Sequence, residues 1–422
     1  MDEWFRIEQS GEVARIVFQP SKDRYWSPSV LESNPIPATL VSGRKVILTG
    51  PGAVWMYAHA AAVCCAAGAR EIHVQTPGDK PGSDDLTGCQ CEIRCPQCDA
   101  ASVLFWVQLR SLPPLSRQAI KRLLQPKLDE LQQLKPREIA ISGRASNEVY
   151  ARVAEAAVRA GVMRMYLLSA RDGLVAVYDA QSGQLGGPLK YPAWLQVAMP
   201  APERPVVLGV IGDPNVGKST LCHFLDCYLQ RTHRAWKLDC DGQAPTPNWY
   251  LSMVDAAQAK RLRDAQKRDW TSVMEEIITD QLRRARELFD VLVADLPGGN
   301  HAIKPPQRIP PGREIMFREV DAFLIVQRQD QPTAADWLRE FRNHGLESRV
   351  VAILDSIRPD LKPALRVWTE NGIWRGEVCG LHRDWLKKLK RLPDAFAQEL
   401  DRFLPALLES VRNLSRRGVA EG

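Results

Sequence analysis

The sequence predicts an α/β protein in two parts: a duplicated α+β module, then a mostly parallel sheet with helices between its strands. Three observations predict it. Residues 206–231 run from an apolar strand through a glycine-rich turn into a helix; a strand–turn–helix–strand stretch at 44–78 recurs at 137–173 without a gap; and apolar strands alternate with helical stretches after residue 231. At 422 residues the chain exceeds one ordinary core, so two or three domains are expected.

The chain opens on two β-rich runs around Ser10-Gly11, the composition of a hairpin. A Pro- and Ser-rich connection leads to the first strand–turn–helix, an alanine-rich helix and a second strand. The stretch CEIRCPQCDAASVLFWVQLRS repeats the opening hairpin in pattern, and in the second copy Tyr150 falls opposite Tyr57. A unit of about a hundred residues is thus duplicated, which would bury in cis a surface that a single copy buries by dimerising. A further homo-oligomer is compatible with that arrangement. In the hairpin of the second copy, Cys89, Cys91, Cys95 and Cys98 form C-x-C-x3-C-x2-C, whose four thiolates would suit one Zn2+ that staples the hairpin; compression into ten residues is the argument against it. Cys64 and Cys65, in the alanine-rich helix, read as small buried hydrophobes.

After a proline-rich linker, the boundary falls near residue 202. The stretch GDPNVGKST matches G-x-x-x-x-G-K-[ST] in full. Gly212 and Gly217 let the backbone N–H groups of Asp213, Pro214's neighbour Asn215, Val216 and Gly217 turn inward. Lys218 is the residue that reaches the outer phosphates of a nucleoside triphosphate, Ser219 offers a hydroxyl to Mg2+, and Thr220 adds a second hydroxyl. RAWKLDCDGQAPTPNWY places Asp239 and Asp241 at the carboxyl end of a strand; magnesium or water chemistry and simple turn chemistry both fit Asp241-Gly242. A long helical region at 252–288 carries Arg261, Arg263, Lys267, Arg268, Arg283, Arg284 and Arg286, either a solvated face or a polyanion surface. FDVLVADLPGG ends an apolar strand on Asp295, a carboxylate positioned for magnesium, with Gly298 at D-x-x-G spacing and a candidate switch loop at 296–311. Lys218, Asp295 and Asp241 are the catalytic candidates. No N-K-x-D guanine signature follows the next two strands, AFLIVQR and SRVVAILDSI, so ATP is favoured over GTP.

Composition bounds the function. No apolar run approaches the ~20 residues that span a bilayer, and MDEWFRIEQS is acidic where an export signal is basic, so a cytoplasmic protein without a membrane partner is expected. Ten cysteines in such a chain argue for free thiols or a metal rather than a disulfide framework. A net charge of +6 permits a nucleotide or nucleic-acid partner without requiring one.

KVILTGPGAVWMY, together with ISGR and LVAVYDAQSG at 174–183, resembles the small ferredoxin-like CRISPR-associated ring nucleases of type III systems, which bind and cleave cyclic oligoadenylates. Some members are fused to a C-terminal P-loop domain. The resemblance covers most of residues 1–200 and implies ferredoxin-like copies at 1–85 and 86–202, followed by a P-loop NTPase domain at 203–422. It implies cyclic oligoadenylate, or RNA, as a partner. Gly50 and Trp55 of the first copy and Gly143 and Arg144 of the second are then the ligand candidates: glycine turns beside Thr49 and Ser142 and the Arg144 guanidinium for phosphates, Trp55 for a base. The alternative is a tryptophan that fills a core and turns that merely connect. Where the family has a histidine, this sequence has Tyr57 and Tyr150, poor general bases at neutral pH, with His59 two residues beyond the first. DLPGG in turn resembles the signal-recognition/MinD-like branch of P-loop NTPases, with Asp213 standing where the MinD group has a second lysine.

Three functions follow: an ATPase fused to a cyclic-oligoadenylate-binding module in type III CRISPR signalling, an active ring nuclease with an attached ATPase, or a P-loop kinase or ATPase with an unrelated interaction module.

Overall fold

In a computed structural model, residues 3–420 are described except 22–25, 76–82, 97–100, 110–114, 247–249, 251–255, 265–266, 268 and 390. The chain divides into two compact units, Met1–Ala201 and Pro202–Gly422.

In the first unit, β1 (Phe5–Ser10) and β2 (Val13–Phe18) form the hairpin, and β2 alternates half-buried and buried positions, the period-two pattern of a strand with one face on the core. A short helix α1 (Val30–Ser33), β3 (Lys45–Thr49), α2 (Val54–Ala66) and β4 (Glu71–Val74) complete a four-stranded sheet of order β1-β2-β3-β4. The second sheet begins with the hairpin β5 (Gln90–Arg94) and β6 (Ser102–Gln108). It continues through α3 (Arg117–Leu134), β7 (Glu138–Arg144), α4 (Asn147–Arg159) and β8 (Arg164–Ser169), then adds β9 (Gly173–Asp179) and β10 (Gly186–Leu189) before α5 (Ala193–Ala198). Its order is β10-β9-β8-β7-β6-β5.

The pairing repeats. In each sheet an antiparallel hairpin is followed by two strands that add in parallel, with a helix joining them: β2-β3-β4 with α2, and β6-β7-β8 with α4. The expected ferredoxin-like order is corrected here. A ferredoxin-like module splits its βαβ unit with an inserted strand, whereas β3 and β4, and β7 and β8, pair directly, because the hairpin strand lies on the other side of β3 and β7. Helices α2 and α4 pack on each other. Ala58, Ala60, Ala61 and Ala62 on α2 and Ala151, Ala154 and Ala157 on α4 are all buried, and such small side chains let the helices approach closely. Helix α2 is buried over most of its circumference, as expected for one apolar all round.

The second unit holds β11 (Val206–Ile211), α6 (Lys218–Leu229), β12 (Ala235–Asp239), β13 (Val291–Asp295), β14 (Ala322–Arg328), β15 (Val350–Ser356), β16 (Ala364–Glu370) and β17 (Ile373–Cys379). They form one sheet of order β12-β13-β11-β14-β15-β17-β16, parallel except for β16. Strands β11, β13 and β14 are fully buried apart from the last residue of β14, which is why they read as unbroken apolar runs. From β11 the chain crosses to one side to form β12 and β13, then to the other to form β14. That topological switch point opens a crevice at the carboxyl ends of the strands. One face of the sheet is covered by α6 and the C-terminal helix Asp394–Ala420, with Phe224 and Phe396 in edge contact at 5.3 Å between ring centres.

The helical region expected at 252–288 holds two helices among the described residues. Ala256–Asp264 and Ser272–Arg286 are separate helices, and Thr271 caps the second by accepting the Met274 N–H at 3.2 Å. Most of its basic residues have partners within the unit: Arg263 donates to the Ala244 and Pro245 carbonyls, Lys267 pairs with Asp264, Arg283 with Glu319, Arg284 with Asp280, and Arg286 with Asp321. Arg268 lies outside the described residues.

Candidate nucleotide site

Between β11 and α6 the backbone of residues 212–217 is dictated by residue type. Gly212 has φ +150°, and a Cβ there would sit 2.0 Å from the Val326 carbonyl oxygen of β14. Gly217 caps α6 at φ +95°, and Asn215, of a type that tolerates the left-handed region, has φ +65°. Pro214 and Asn215 are exposed, whereas Val216 and Thr220 are buried; Ser219 is half-buried in the first turn of α6. The Lys218 ammonium folds back over the loop, donating to the carbonyls of Gly212 at 2.8 Å and Asp213 at 3.0 Å. Burial pushes its pKa below the ordinary lysine value, against the opposing pull of Asp295 and Asp241.

Asp295 ends β13, directly beside β11, and is 3% exposed. Its Oδ2 faces Lys237 Nζ on β12 at 3.1 Å but takes no well-aligned hydrogen bond. A buried carboxylate oxygen with spare acceptor capacity beside the first turn of α6 fits a hydrated Mg2+, with Ser219 and Asp295 the residues that would hold it. Lys237 is held above the ordinary lysine value: burial lowers it, and Asp295 and Asp239 more than offset that. Gly298, three residues beyond Asp295, lies against the loop. A Cβ on it would meet Gly212 O at 2.9 Å, Lys218 Nζ at 3.1 Å and Pro214 Cδ at 3.1 Å. Gly212, Asp213, Gly217, Lys218, Asp295 and Gly298 are therefore gathered at one end of the sheet.

Asp241 makes the turn contacts expected of Asp-Gly. Its Oδ1 accepts the N–H groups of Gln243 at 3.0 Å and Ala244 at 2.9 Å, an Asx turn, while its charge still reaches Lys218. Asp239 is buried and accepts the N–H groups of Asp241 and Thr246. Three residues escaped the sequence reading. Lys237 carries a signal, since a lysine inside a strand with apolar and acidic neighbours must find a carboxylate if the strand is central. Arg308 and Trp337 carry none, being 95 and 124 residues from Asp213, the side chain of the 212–217 loop that they grip.

The N-terminal candidates are corrected. Trp55 is 0% exposed, in the core where α2 and α4 meet, so it has no face free for a base. Gly50 and Gly143 have φ +107° and +114°, and Cβ atoms there would lie 2.4 Å from Phe18 O and 2.0 Å from Val107 O. Their task is close approach to the preceding strand. Their carbonyls accept Tyr57 Oη at 2.7 Å and Tyr150 Oη at 2.8 Å, the same contact in both copies. Burial raises the pKa of Tyr57 to about 12 and raises that of Tyr150 as well, so both phenols stay protonated as donors. Arg144 is 8% exposed, not a surface anion clamp, and the Ser142 hydroxyl is turned to Leu168 O. Asp179, in the AVYD stretch, pairs with Arg164 at 2.9 Å and caps the turn at residues 181–182. Of the cysteine cluster, Cys89 and Cys91 are half-buried and Cys95 is exposed, while Cys98 lies outside the described residues. Among the described residues no group of three or more His, Cys, Asp or Glu side chains is placed to hold a metal. Among them, too, no helix is long and apolar enough to cross a membrane.

No protein-family model matches the chain, and no curated protein matches it. The assignment of function therefore rests on the site.

Proposed function

We propose that the second unit is a magnesium-dependent P-loop ATPase. The observation that carries the reading is the meeting of Lys218, Gly212 and Gly298, in which a D-x-x-G glycine from one strand end abuts the lysine of a phosphate loop from the next. The Lys218 ammonium, now spread over two loop carbonyls, would transfer to phosphate oxygens that gain charge during transfer. The N–H groups of Asp213 and of residues 215–219, Pro214 having none, and the N-terminus of α6 favour the same anion. Bound Mg2+ would neutralise phosphate charge; Asp295 and Ser219 would hold it. The acceptor is water in the ATPase reading and a hydroxyl in the kinase alternative. Neither strand β14 nor β15 is followed by a guanine signature, which favours ATP.

Cyclic oligoadenylate or RNA as a partner of the first unit, and any place in type III CRISPR signalling, rest on the family resemblance. The burial of Trp55 and Arg144 takes away the groups expected to hold such a ligand and favours the reading in which the duplicated module serves another interaction. Purified protein incubated with Mg-ATP should release phosphate; Lys218→Ala should abolish release and weaken ATP binding, and Asp295→Asn should keep binding but lose turnover. Full hydrolysis by the Lys218 variant would remove the assignment. Labelled cyclic tetra-adenylate in the same preparation separates the alternatives: retention without loss restores the binding module, and linear products restore the ring nuclease.

A further inference from the structure

A carboxylate inside a phosphate loop needs explaining. Asp213 follows the first loop glycine, and its negative charge stands beside the place where a triphosphate would lie. Two elements grip it. Arg308 donates from Nε to Oδ1 at 3.2 Å and from Nη2 to Oδ2 at 3.1 Å, a bidentate pair, and Trp337 Nε1 donates to Oδ1 at 2.8 Å. The Arg308 side chain is 7% exposed and that of Asp213 18%. Beyond Arg308 the charges alternate: its Nη2 lies 3.2 Å from Asp336 Oδ2, and Asp336 Oδ1 lies 2.7 Å from Arg339 Nη2. Two carboxylates and two guanidiniums thus close a neutral chain starting inside the loop.

Arg308 belongs to the segment that carries Gly298. Asn300 and Gln307 exchange both backbone hydrogen bonds, at 2.8 and 3.0 Å, and Gly299, at φ +86°, lies directly against Arg308, where a Cβ would come 2.7 Å from its Cα. The segment therefore holds the phosphate loop at two points, Gly298 on Lys218 and Arg308 on Asp213. It moves away from the loop only by baring the Asp213 charge.

We propose that Arg308 is the residue that makes this phosphate loop competent for a triphosphate: by cancelling Asp213 it ties nucleotide affinity to docking of residues 296–311. Arg308 is a positioning residue in this account, acting through Asp213 rather than on the nucleotide. The inference rests on the ATPase reading above and adds its regulation. A like charge beside the phosphates disfavours binding, and its effect is larger in a partly buried site than in water. Removing Arg308 alone leaves Asp213 with the Trp337 N–H and with His301 Nε2 4.0 Å away, but without its bidentate charge partner. Removing the Asp213 charge alone leaves Arg308 as an added cation near the phosphates, so the two changes act in opposite directions.

The test is titration of the full chain with a fluorescent ATP analogue in the presence of Mg2+, for wild type, Arg308→Gln, Asp213→Asn and the double variant, with melting curves to confirm folding. Arg308→Gln should weaken binding at least tenfold, Asp213→Asn should tighten it severalfold, and the double variant should return to within about threefold of wild type, the pattern of a cancelled charge. A double variant as weak as Arg308→Gln would overturn the proposal, because Arg308 would then act on the phosphates itself. Weaker binding by folded Asp213→Asn would overturn it as well, independently of how the arginine variants fold. Failure of wild type to bind the analogue, with Lys218→Ala no different, would instead sink the ATPase reading.

Discussion

Lys237 offers the sharpest test of how the site is built. Its side chain is 1% exposed, that of its partner Asp295 is 5% exposed, and its ammonium also donates to Thr246 O at 3.0 Å. Lys237→Met keeps the length and removes the charge, leaving the Asp295 and Asp239 carboxylates buried side by side on β13 and β12. Breaking a buried pair from one side costs about 3–5 kcal/mol. For a unit of this size each kcal/mol shifts Tm by about 2–4 °C, so the second unit should melt about 6–20 °C lower in EDTA. The double variant Lys237→Met/Asp295→Asn should recover part of the loss, since one of the two facing carboxylates, and with it their mutual repulsion, is gone while Asp239 keeps the Asp241 and Thr246 N–H bonds. Magnesium should stabilise the single variant more than wild type, because a cation that binds only the folded state adds RT ln(1 + [L]/Kd), about 2.7 kcal/mol at a hundredfold excess over Kd. Lys237 titrates above its ordinary value of 10.5, so its contribution is fully present below that pH and is lost only as pH rises past its raised folded value. Titration of Lys237 itself therefore adds no pH dependence through neutral pH, whereas in the variant the paired carboxylates take up a proton more readily and the deficit shrinks as pH falls. A loss below about 1 kcal/mol, or a double variant no more stable than the single, would refute the view that the pair is a buried one sustained by mutual charge.

Gly298→Ala should weaken ATP binding roughly tenfold, because overpacking a fitted contact costs about 1–3 kcal/mol and the new methyl would press on the Gly212 carbonyl at 2.9 Å; wild-type affinity would mean the segment has another resting place. His59, 1% exposed, donates from Nδ1 to Val177 O at 2.8 Å, and burial lowers its pKa from 6.5 to about 4. Its contribution is present above pH 6.5 and is lost as pH falls through 4, about 3 kcal/mol in all. Hydrogen exchange in α2 of the full chain, corrected for intrinsic rates, should show that loss, and His59→Gln should flatten it; a pH-independent wild type would show that the imidazole titrates normally.

The backbone of the 212–217 loop was legible because its information is local. Gly212 and Gly217 are demanded by their own φ values and by Val326 O and Leu381, and a contiguous motif carries both the bend and the lysine. Asp295 was legible because a fully buried strand can end on a carboxylate only where polar chemistry begins. The counter-charges were not. Arg308 sits in an irregular segment whose position depends on the Asn300–Gln307 closure and on the sheet order, neither of which leaves a periodic trace. The helical region at 252–288 was legible in outline, but its break was not: Trp270 covers Gly242 and donates to Glu275 at 2.5 Å, and Thr271 starts a new helix by capping the Met274 N–H, contacts that leave no periodic trace.

The first unit shows how repetition misleads when function is read from it. Glycine, tyrosine and the turn between them recur in both copies, and recurrence at matched positions invites a ligand-binding reading. The structure gives the recurrence a mechanical cause. In each copy the glycine lets a turn press on the strand before it, and the tyrosine seven residues on ties that turn to its own helix by one hydrogen bond to the glycine carbonyl. The two helices then bury their alanine faces on one another, which places Trp55 and Tyr57 in the core. A duplicated constraint of this kind fixes the angle at which each helix leaves its strand. Mutual packing of the copies requires that angle whether or not anything is bound, so the matched residues support the duplication and carry no argument for a ligand.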